Sequence, residues 1–160
     1  MSARDHTTPL DASLRVFAGY NLKRAYLLIR EAVLEALTPY GLRPPSFSTL
    51  VIIGDNPDLS QSRLAEALNI KRSGMVLIVD ELEHAGLITR NPVHGDRRSY
   101  ALRATLKGMR VREQAMRAVT AVEADVLTAF SPDEHRLLGE LFNKTAQPDE
   151  HPVSNQEKAL

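Results

Sequence analysis

The stretch from Leu59 to Leu102 constrains the fold more than any other part of the chain. It reads, in order, as a short helix, a tight turn, a second helix and a charged hairpin. Ser60 is placed to cap the first helix, and Asn69 suits the left-handed residue that ends it. The second helix is predicted over residues 72–85, with Gly86 as its stop. This order of elements is that of a winged helix-turn-helix, which lays its second helix in the major groove of DNA.

The predicted hairpin joins strand-like segments at residues 87–90 and 99–102. Its tip carries two adjacent arginines, Arg97 and Arg98, directly after Asp96. A solvated turn would tolerate these residues, but paired arginines also suit the minor groove or its phosphates. We therefore expect both arginines to contact DNA, and Asp96 to brace the turn or an arginine.

The start of the second helix carries the candidate base-reading residues. Arginine pairs with phosphate or guanine, and helix N-terminal amides and a serine hydroxyl suit phosphate. Val76 and Leu77 are unusual for a base-reading face, which usually carries polar side chains. They either contact thymine methyl groups or are buried, and the sequence leaves both alternatives open. The predicted DNA-contacting residues are Ser60, Gln61, Lys71, Arg72, Ser73, Gly74, Val76, Leu77, Arg97 and Arg98.

Charge is distributed unevenly along a chain whose formal net charge is zero. Residues 61–107 hold eight cations against five anions, a net charge of +3, so the remainder carries −3. A basic lobe on an acidic body fits a protein that binds DNA without adhering to it everywhere. The length of 160 residues suits one compact domain or two small lobes with a shared core.

Absent residue types exclude several classes of protein. There is no cysteine, which rules out disulfides, thiolate zinc sites and thiol redox sensing. No 20-residue apolar run and no secretory signal occur, so we expect a cytoplasmic protein without a membrane partner. The five histidines lack metal-ligand spacing, and no P-loop, GxGxxG or nucleophile elbow is present. We expect no metal, no cofactor and no catalytic residue.

Long helices are predicted on both sides of the helix-turn-helix segment. Apolar residues recur at helical spacing from Leu10 to Leu37, on more than one side, which is typical of a helix covered on more than one side. Another long helix is predicted from Thr105 to about Phe130. Ser131 and the proline after it are typical of a helix start, and this last helix fades near residue 146.

The segment from Ser60 to Gly108 resembles the MarR family of bacterial winged-helix regulators. The resemblance rests on the Leu-Ala-Glu-Ala-Leu helix at 64–68, Arg72-Ser73 at the start of the second helix, and the run Val79-Asp80-Glu81-Leu82-Glu83 before Gly86-Leu87-Ile88. It also rests on Asp96-Arg97-Arg98 in the hairpin and Thr105-Leu106-Lys107-Gly108 at the next helix start. Helix number and order match as well, over about residues 10–145.

The resemblance implies a mainly α fold with a small β-hairpin wing, assembled as a homodimer on double-stranded, pseudo-palindromic DNA. It implies a repressor that a small-molecule effector releases. The corresponding organisation is a flexible arm (1–9), dimerisation helices (10–38 and 105–146), a winged helix-turn-helix domain (44–104) and a disordered tail (147–160). A winged helix used only for protein–protein contact remains the alternative function, and a small helical enzyme is a weaker one.

Aromatic and basic residues near the expected effector pocket form the candidate ligand site. They are Phe17, Tyr20, Asn21, Arg24, Tyr40, Arg43 and Phe47. An aromatic wall with an arginine suits an aromatic acid, while core aromatics with solvated arginines are the other interpretation. The segments 19–24 and 41–43 resemble members that sense hydroxycinnamoyl coenzyme A thioesters, which makes such a thioester or its parent acid the expected effector.

Overall fold

The computed structural model describes residues 9–93 and 96–145, without the side chains of residues 93–99 and 145. The predicted tail at 147–160, and the predicted arm apart from its last residue, lie outside this part of the chain. The helices are α1 (Ala18–Leu37), α2 (Pro44–Asp55), α3 (Gln61–Ala67), α4 (Arg72–His84), α5 (Leu106–Val126) and α6 (Pro132–Thr145), and the strands are β1 (Leu59–Ser60), β2 (Ile88–Val93) and β3 (Asp96–Ala104). The predicted mainly helical fold with a small wing is confirmed.

The helix-turn-helix is formed by α3 and α4, with the turn chemistry that the sequence predicted. Ser60 Oγ accepts a hydrogen bond from the Arg63 backbone N–H at 3.4 Å, which caps α3. Asn69 takes a left-handed φ of 50° after α3, and Gly86 takes 70° after α4. Both conformations are favoured by these residue types, so local sequence fixes where each helix ends.

The three strands form an antiparallel sheet in the order β1-β3-β2. Leu59 pairs with Leu102 and Ile88 pairs with Ala104. The sequence predicted the β2–β3 hairpin but not β1, which consists of the two residues just before α3. A two-residue strand carries no periodicity, so only its distant partner reveals it.

The core of the unit that ends at Glu123 lies where α2, α3 and α4 meet the sheet. The largest fully buried side chains are Leu37, Leu50, Ile53, Leu64, Met75, Val79, Leu82, Ile88 and Leu102. Thr49 is also buried and donates to Met75 Sδ at 4.0 Å. Burial of each large apolar side chain contributes about 1.5–3 kcal/mol, and the buried residues of α4 fix which of its faces points outward.

The first helix differs from its prediction in two ways. It begins at Ala18 rather than Leu10, because Phe17 is extended and a separate 3-10 turn occupies Ala12–Leu14. Its N-terminal half is also not covered within one chain: Leu22 is exposed, as are Leu27 and Leu28, whereas burial begins at Val33. The expectation of burial on several sides is therefore wrong for the isolated chain.

Hydrogen bonds connect the end of α4 to the start of α5 and form what we call the α4–α5 joint. Thr105 Oγ1 donates to the carbonyl oxygen of Gly86 at 2.8 Å and accepts from the Gly108 N–H at 2.9 Å. Lys107 Nζ donates to the Ala85 carbonyl at 2.7 Å, at the negative end of the α4 dipole. The helix α4 is thus held to α5 by side chains that cap both helix ends.

The second unit begins at Ala124 and contains α6. The helix α5 ends at Val126 and not at Phe130 as predicted, because the residues before Pro132 form a turn. The predicted α6 start is confirmed: the Ser131 N–H donates to Glu134 Oε2 at 2.8 Å, and Ser131 Oγ accepts from the Glu134 N–H at 3.3 Å. This capping lowers the pKa of Glu134.

Within the described residues, none of the helices combines the length and the apolarity that crossing a membrane requires.

Candidate nucleic-acid interface

The outward face of α4 decides between the two interpretations of its apolar pair. Met75 and Val79 are fully buried on the inner face. Val76 and Leu77 are 41% and 64% exposed, so burial is the wrong alternative for both. Lys71, the N-cap residue of the same helix, is exposed, as are Arg72 and Ser73 in its first turn. A continuous polar-to-apolar surface therefore runs along the first half of α4.

A recess of about 210 Å³ lies between the start of α3 and α4. Its lining residues are Gln61 and Ser62 from α3, and Arg72 and Val76 from α4. Three of these four residues were predicted to contact DNA, and the structure brings them together. Ser62 was not predicted, although its position next to Gln61 at an exposed helix start could have indicated it.

The basic residues of this region fall into two groups. Among the described residues, Arg63, Lys71 and Arg72 take part in no ion pair, and all three are exposed. By contrast, Arg90 and Arg103 are engaged by carboxylates of their own chain. Positive charge is therefore left uncompensated on the α3–α4 face, where a phosphate backbone would supply the counter-charge. Arg63 is a further candidate that was not predicted from the sequence.

The second half of α4 is acidic, and two arginines hold its carboxylates. Arg90, on β2, pairs with both Asp80 and Glu83. Arg43, which precedes α2, donates from one nitrogen to both oxygens of Glu81 at 2.7 Å. The helix therefore has a basic N-terminal half and a neutralised acidic C-terminal half. This polarity favours an approach to a polyanion with the N-terminal half leading.

The base of the wing is braced by an ion pair. Arg103 on β3 donates from Nε and one terminal nitrogen to the two oxygens of Asp58, each at 2.6 Å. The hydrogen bond from Arg103 lowers the pKa of the Asp58 carboxyl below its ordinary value. Asp58 has a φ of 69°, so the pair also helps to hold a left-handed residue beside β1.

Arg97 and Arg98 lie on β3, near the tip of the wing. The strand pairing shifts between Pro92 and Val93, and Val93 pairs with Asp96. The side chains of Asp96, Arg97 and Arg98 lie outside the described part of the chain. Their contact with DNA therefore stays a prediction.

The seven predicted ligand residues form two separate groups within one chain. The first group, Phe17, Tyr20, Asn21 and Arg24, lies at the start of α1, and the second, Tyr40, Arg43 and Phe47, lies beyond its end. A helix of 20 residues is about 30 Å long, so one small molecule cannot contact both groups in a single chain.

The first group is organised around Asp11. The Tyr20 hydroxyl donates to Asp11 Oδ2 at 2.9 Å, and Arg15 Nε donates to Oδ1 at the same distance. Arg24 lies 3.6 Å from the carboxylate and 6.0 Å from the centre of the Tyr20 ring. The hydrogen bond with Tyr20 lowers the pKa of Asp11 and raises that of the tyrosine. These polar groups are satisfied internally at the N-terminus of α1.

A cavity of about 340 Å³ lies between α2 and α5, and of the seven predicted residues it includes Phe47. Its other lining residues are Ser48, Val51, Ile52, Met116, Val119 and Thr120. They recur at helical spacing on both helices, a pattern that in the sequence is indistinguishable from ordinary core packing. A mostly apolar cavity with two hydroxyl groups suits a planar aromatic ligand.

Comparison with known proteins adds an independent line of evidence. The model of the MarR family matches residues 42–100. A putative transcriptional regulatory protein for the hcr operon of Thauera aromatica is 33% identical over 141 residues, which cover 87% of this chain and 85% of the relative.

Two solved structures are similar over most of their length. The transcriptional repressor CouR bound to a 23-mer DNA duplex has a TM-score of 0.81 and 32% identity, over 88% of this chain and 100% of the other. CouR from Rhodococcus jostii RHA1 bound to p-coumaroyl-CoA has a TM-score of 0.76 and 28% identity, over 85% and 96%.

Proposed function

This chain belongs to the MarR family, and we propose that it represses transcription from a pseudo-palindromic operator until a small aromatic acid or its coenzyme A thioester releases it. It is a ligand-responsive, DNA-binding transcriptional regulator and not an enzyme. The observation that carries the proposal is the α3–α4 face, where Arg63, Lys71 and Arg72 are exposed and form no ion pair with any residue that the structure describes. Such a face is complementary to the phosphate backbone of DNA. We propose that the protein acts in the cytoplasm, because the DNA that it binds lies there.

We propose that the regulator works as a homodimer with one recognition helix per half-site. Exposed apolar side chains on α1, such as Leu27 and Leu28, support this proposal, because a second copy would remove them from water. On α6, Leu137 and Leu141 are exposed in the same way. The winged helix-turn-helix at 44–104 of each copy would then contribute one recognition helix, and the two helices would lie about one DNA turn apart.

We propose that the aromatic part of the effector occupies the cavity between α2 and α5. Its volume lies at the lower end of the range for ligand sites, which suits one aromatic ring with a short chain. A coenzyme A moiety would extend outside it, where Arg43 of the same chain and Arg24 of a second copy are candidates for its phosphates. Because α5 is connected to α4 through the α4–α5 joint, a ligand bound beside α5 can shift the recognition helices. It does so only to the extent that it favours the DNA-incompetent state.

Fluorescence anisotropy on the DNA upstream of the gene, against scrambled DNA at two salt concentrations, tests the proposal. We expect tight, sequence-dependent binding that aromatic acids or their coenzyme A thioesters reverse. Replacement of Arg97 and Arg98 by alanine should weaken binding and reduce the salt slope by up to about two units. The variant Arg136→Ala is the control, because Arg136 is paired with Asp133 and Glu140 on its own helix.

The lack of any salt-dependent binding to DNA would instead favour the protein–protein module. Selective binding with an unchanged slope in the Arg97 and Arg98 variant would contradict the wing assignment alone.

A further inference from the structure

Two apolar side chains stand on the face of α4 that the proposed function assigns to DNA. Rotation of the helix cannot bury Val76 and Leu77, because Met75 and Val79 are fully buried on the opposite side and would become exposed. Whatever removes the exposed pair from water therefore comes from outside the described chain.

The distribution of charge along α4 indicates which kind of partner fits this face. The exposed cations Lys71 and Arg72, which have no ion-pair partner in the described part of the chain, lie one turn before the apolar pair. The carboxylates of Asp80 and Glu81 lie one turn after it. The occupant must therefore be anionic beside Lys71 and Arg72 and apolar beside Val76 and Leu77. The major groove of DNA meets both conditions. There, each thymine presents a 5-methyl group between the phosphate backbones.

The recess beside Val76 matches the edge of thymine in more detail. Thymine presents an acceptor, O4, next to its methyl group. In the recess, the apolar surface of Val76 lies beside three possible donors: the Gln61 amide, the Ser62 hydroxyl and the Arg72 guanidinium. Cytosine presents an amino donor at the equivalent place and lacks the methyl group, so it would leave Val76 without an apolar partner.

We propose that Val76 and Leu77 read thymines of the operator through their 5-methyl groups, and that Arg72 and Gln61 donate to the neighbouring base acceptors. This inference rests on the proposed function, because it specifies the chemistry that the α4 face recognises. It makes hydrophobic contact, rather than a bidentate hydrogen bond, the source of base selection at the centre of the recognition helix.

Removal of single methyl groups from the DNA tests the inference. The operator is first defined by selection of duplexes that the full-length protein binds, from a random-sequence pool. Each thymine of the selected half-site is then replaced by deoxyuridine, which keeps O4 and base pairing but lacks the methyl group. Affinities are measured for the native protein, for Val76→Ala, for Leu77→Ala and for the control Leu106→Ala, which removes a leucine that is 82% exposed at the start of α5.

We expect one or two thymines per half-site at which deoxyuridine weakens binding by the native protein about three- to fivefold, the factor for burial of one methyl-sized group. At those thymines the loss should disappear in Leu77→Ala or Val76→Ala and persist in Leu106→Ala. Both substituted side chains are exposed, so circular dichroism and melting temperature should remain those of the native protein.

Three results would overturn the inference while the proposed function stands: no effect of deoxyuridine at any position, an effect of equal size in all four proteins, or a selected half-site without a shared thymine. Failure to select any sequence from the pool would contradict the proposed function itself, and the two failures are therefore distinguishable.

Discussion

A Cβ atom at position 108 would stand 1.9 Å from the carbonyl oxygen of Leu87. Gly108 lies in the first turn of α5, and Leu87 follows the end of α4, so the two backbones meet without an intervening side chain. The carbonyl of Leu87 also accepts the Thr105 N–H at 2.9 Å. The α4–α5 joint therefore also includes a close backbone-to-backbone contact that only glycine permits.

Replacement Gly108→Ala should separate α5 from the end of α4. We expect a loss of about 3 kcal/mol in the free energy of unfolding, at the upper end for an overpacked site, because the clash is with backbone and not with a flexible side chain. Urea denaturation measures the change. Gly139→Ala is the matched control: nothing lies within 4 Å of its Cβ position, and alanine in the α6 interior should stabilise the protein by up to about 1 kcal/mol. Equal stability of the two variants would contradict the close contact.

The Asp58–Arg103 pair should contribute stability that acid removes. The folded state lowers the pKa of Asp58 below its ordinary value of 3.8. The contribution is therefore complete above about pH 4 and is lost as the pH falls through the folded-state pKa. Melting temperatures of the native protein and of Asp58→Asn should differ most near neutral pH and converge in acid. Asparagine tolerates the left-handed φ at this position, so backbone strain should not obscure the comparison.

A parallel experiment with Arg103→Gln should give the same convergence. A constant difference in melting temperature at every pH would show that the ion pair does not contribute.

Filling the α2–α5 cavity should abolish the response to effector and leave DNA binding intact. Val51→Phe adds an aromatic ring where about 340 Å³ is available, so we expect less than about 1 kcal/mol of destabilisation instead of the usual cost of overpacking. Anisotropy with operator DNA should show native affinity without release by the effector. Val51→Ala enlarges the cavity and should keep release. A Val51→Phe protein that still responds would place the effector elsewhere.

Unpaired cations should determine the salt dependence of DNA binding. Arg72→Ala and Arg63→Ala should each lower the salt slope by about 0.9, the value for one lost phosphate contact. Arg103→Ala changes the net charge equally but removes an arginine that Asp58 already engages, so its slope should remain native. Equal slopes for all three variants would mean that net charge, and not contact, governs binding.

Local features of the fold were largely predictable. Asn69 and Gly86 ended their helices as expected, because a left-handed residue is a property of the residue itself and its neighbours. Ser60 was predicted as a helix cap for the same reason. The break before α1 was not predicted, because the apolar spacing is helical on both sides of the extended Phe17, which separates the turn at Ala12–Leu14 from the helix.

The candidate site was only partly predictable. The positions of Lys71 and Arg72 on the recognition helix followed from motif and spacing, but the exposure of Val76 and Leu77 did not. Helical periodicity assigned neither residue to the core or to the surface, because α4 has apolar residues on both sides. Only the packing of Met75 and its neighbours against α2, α3 and β2 fixed the rotation of the helix.

The sequence by itself determined the order of helices, the turn chemistry and the basic character of the α3–α4 region, because each depends on residues a few positions apart. Only the tertiary structure decided which cations remain unpaired and where a cavity opens. Asp58 and Arg103 are 45 positions apart, and the cavity lies between helices separated by the entire wing. Such contacts depend on chain closure and packing, for which no local pattern exists.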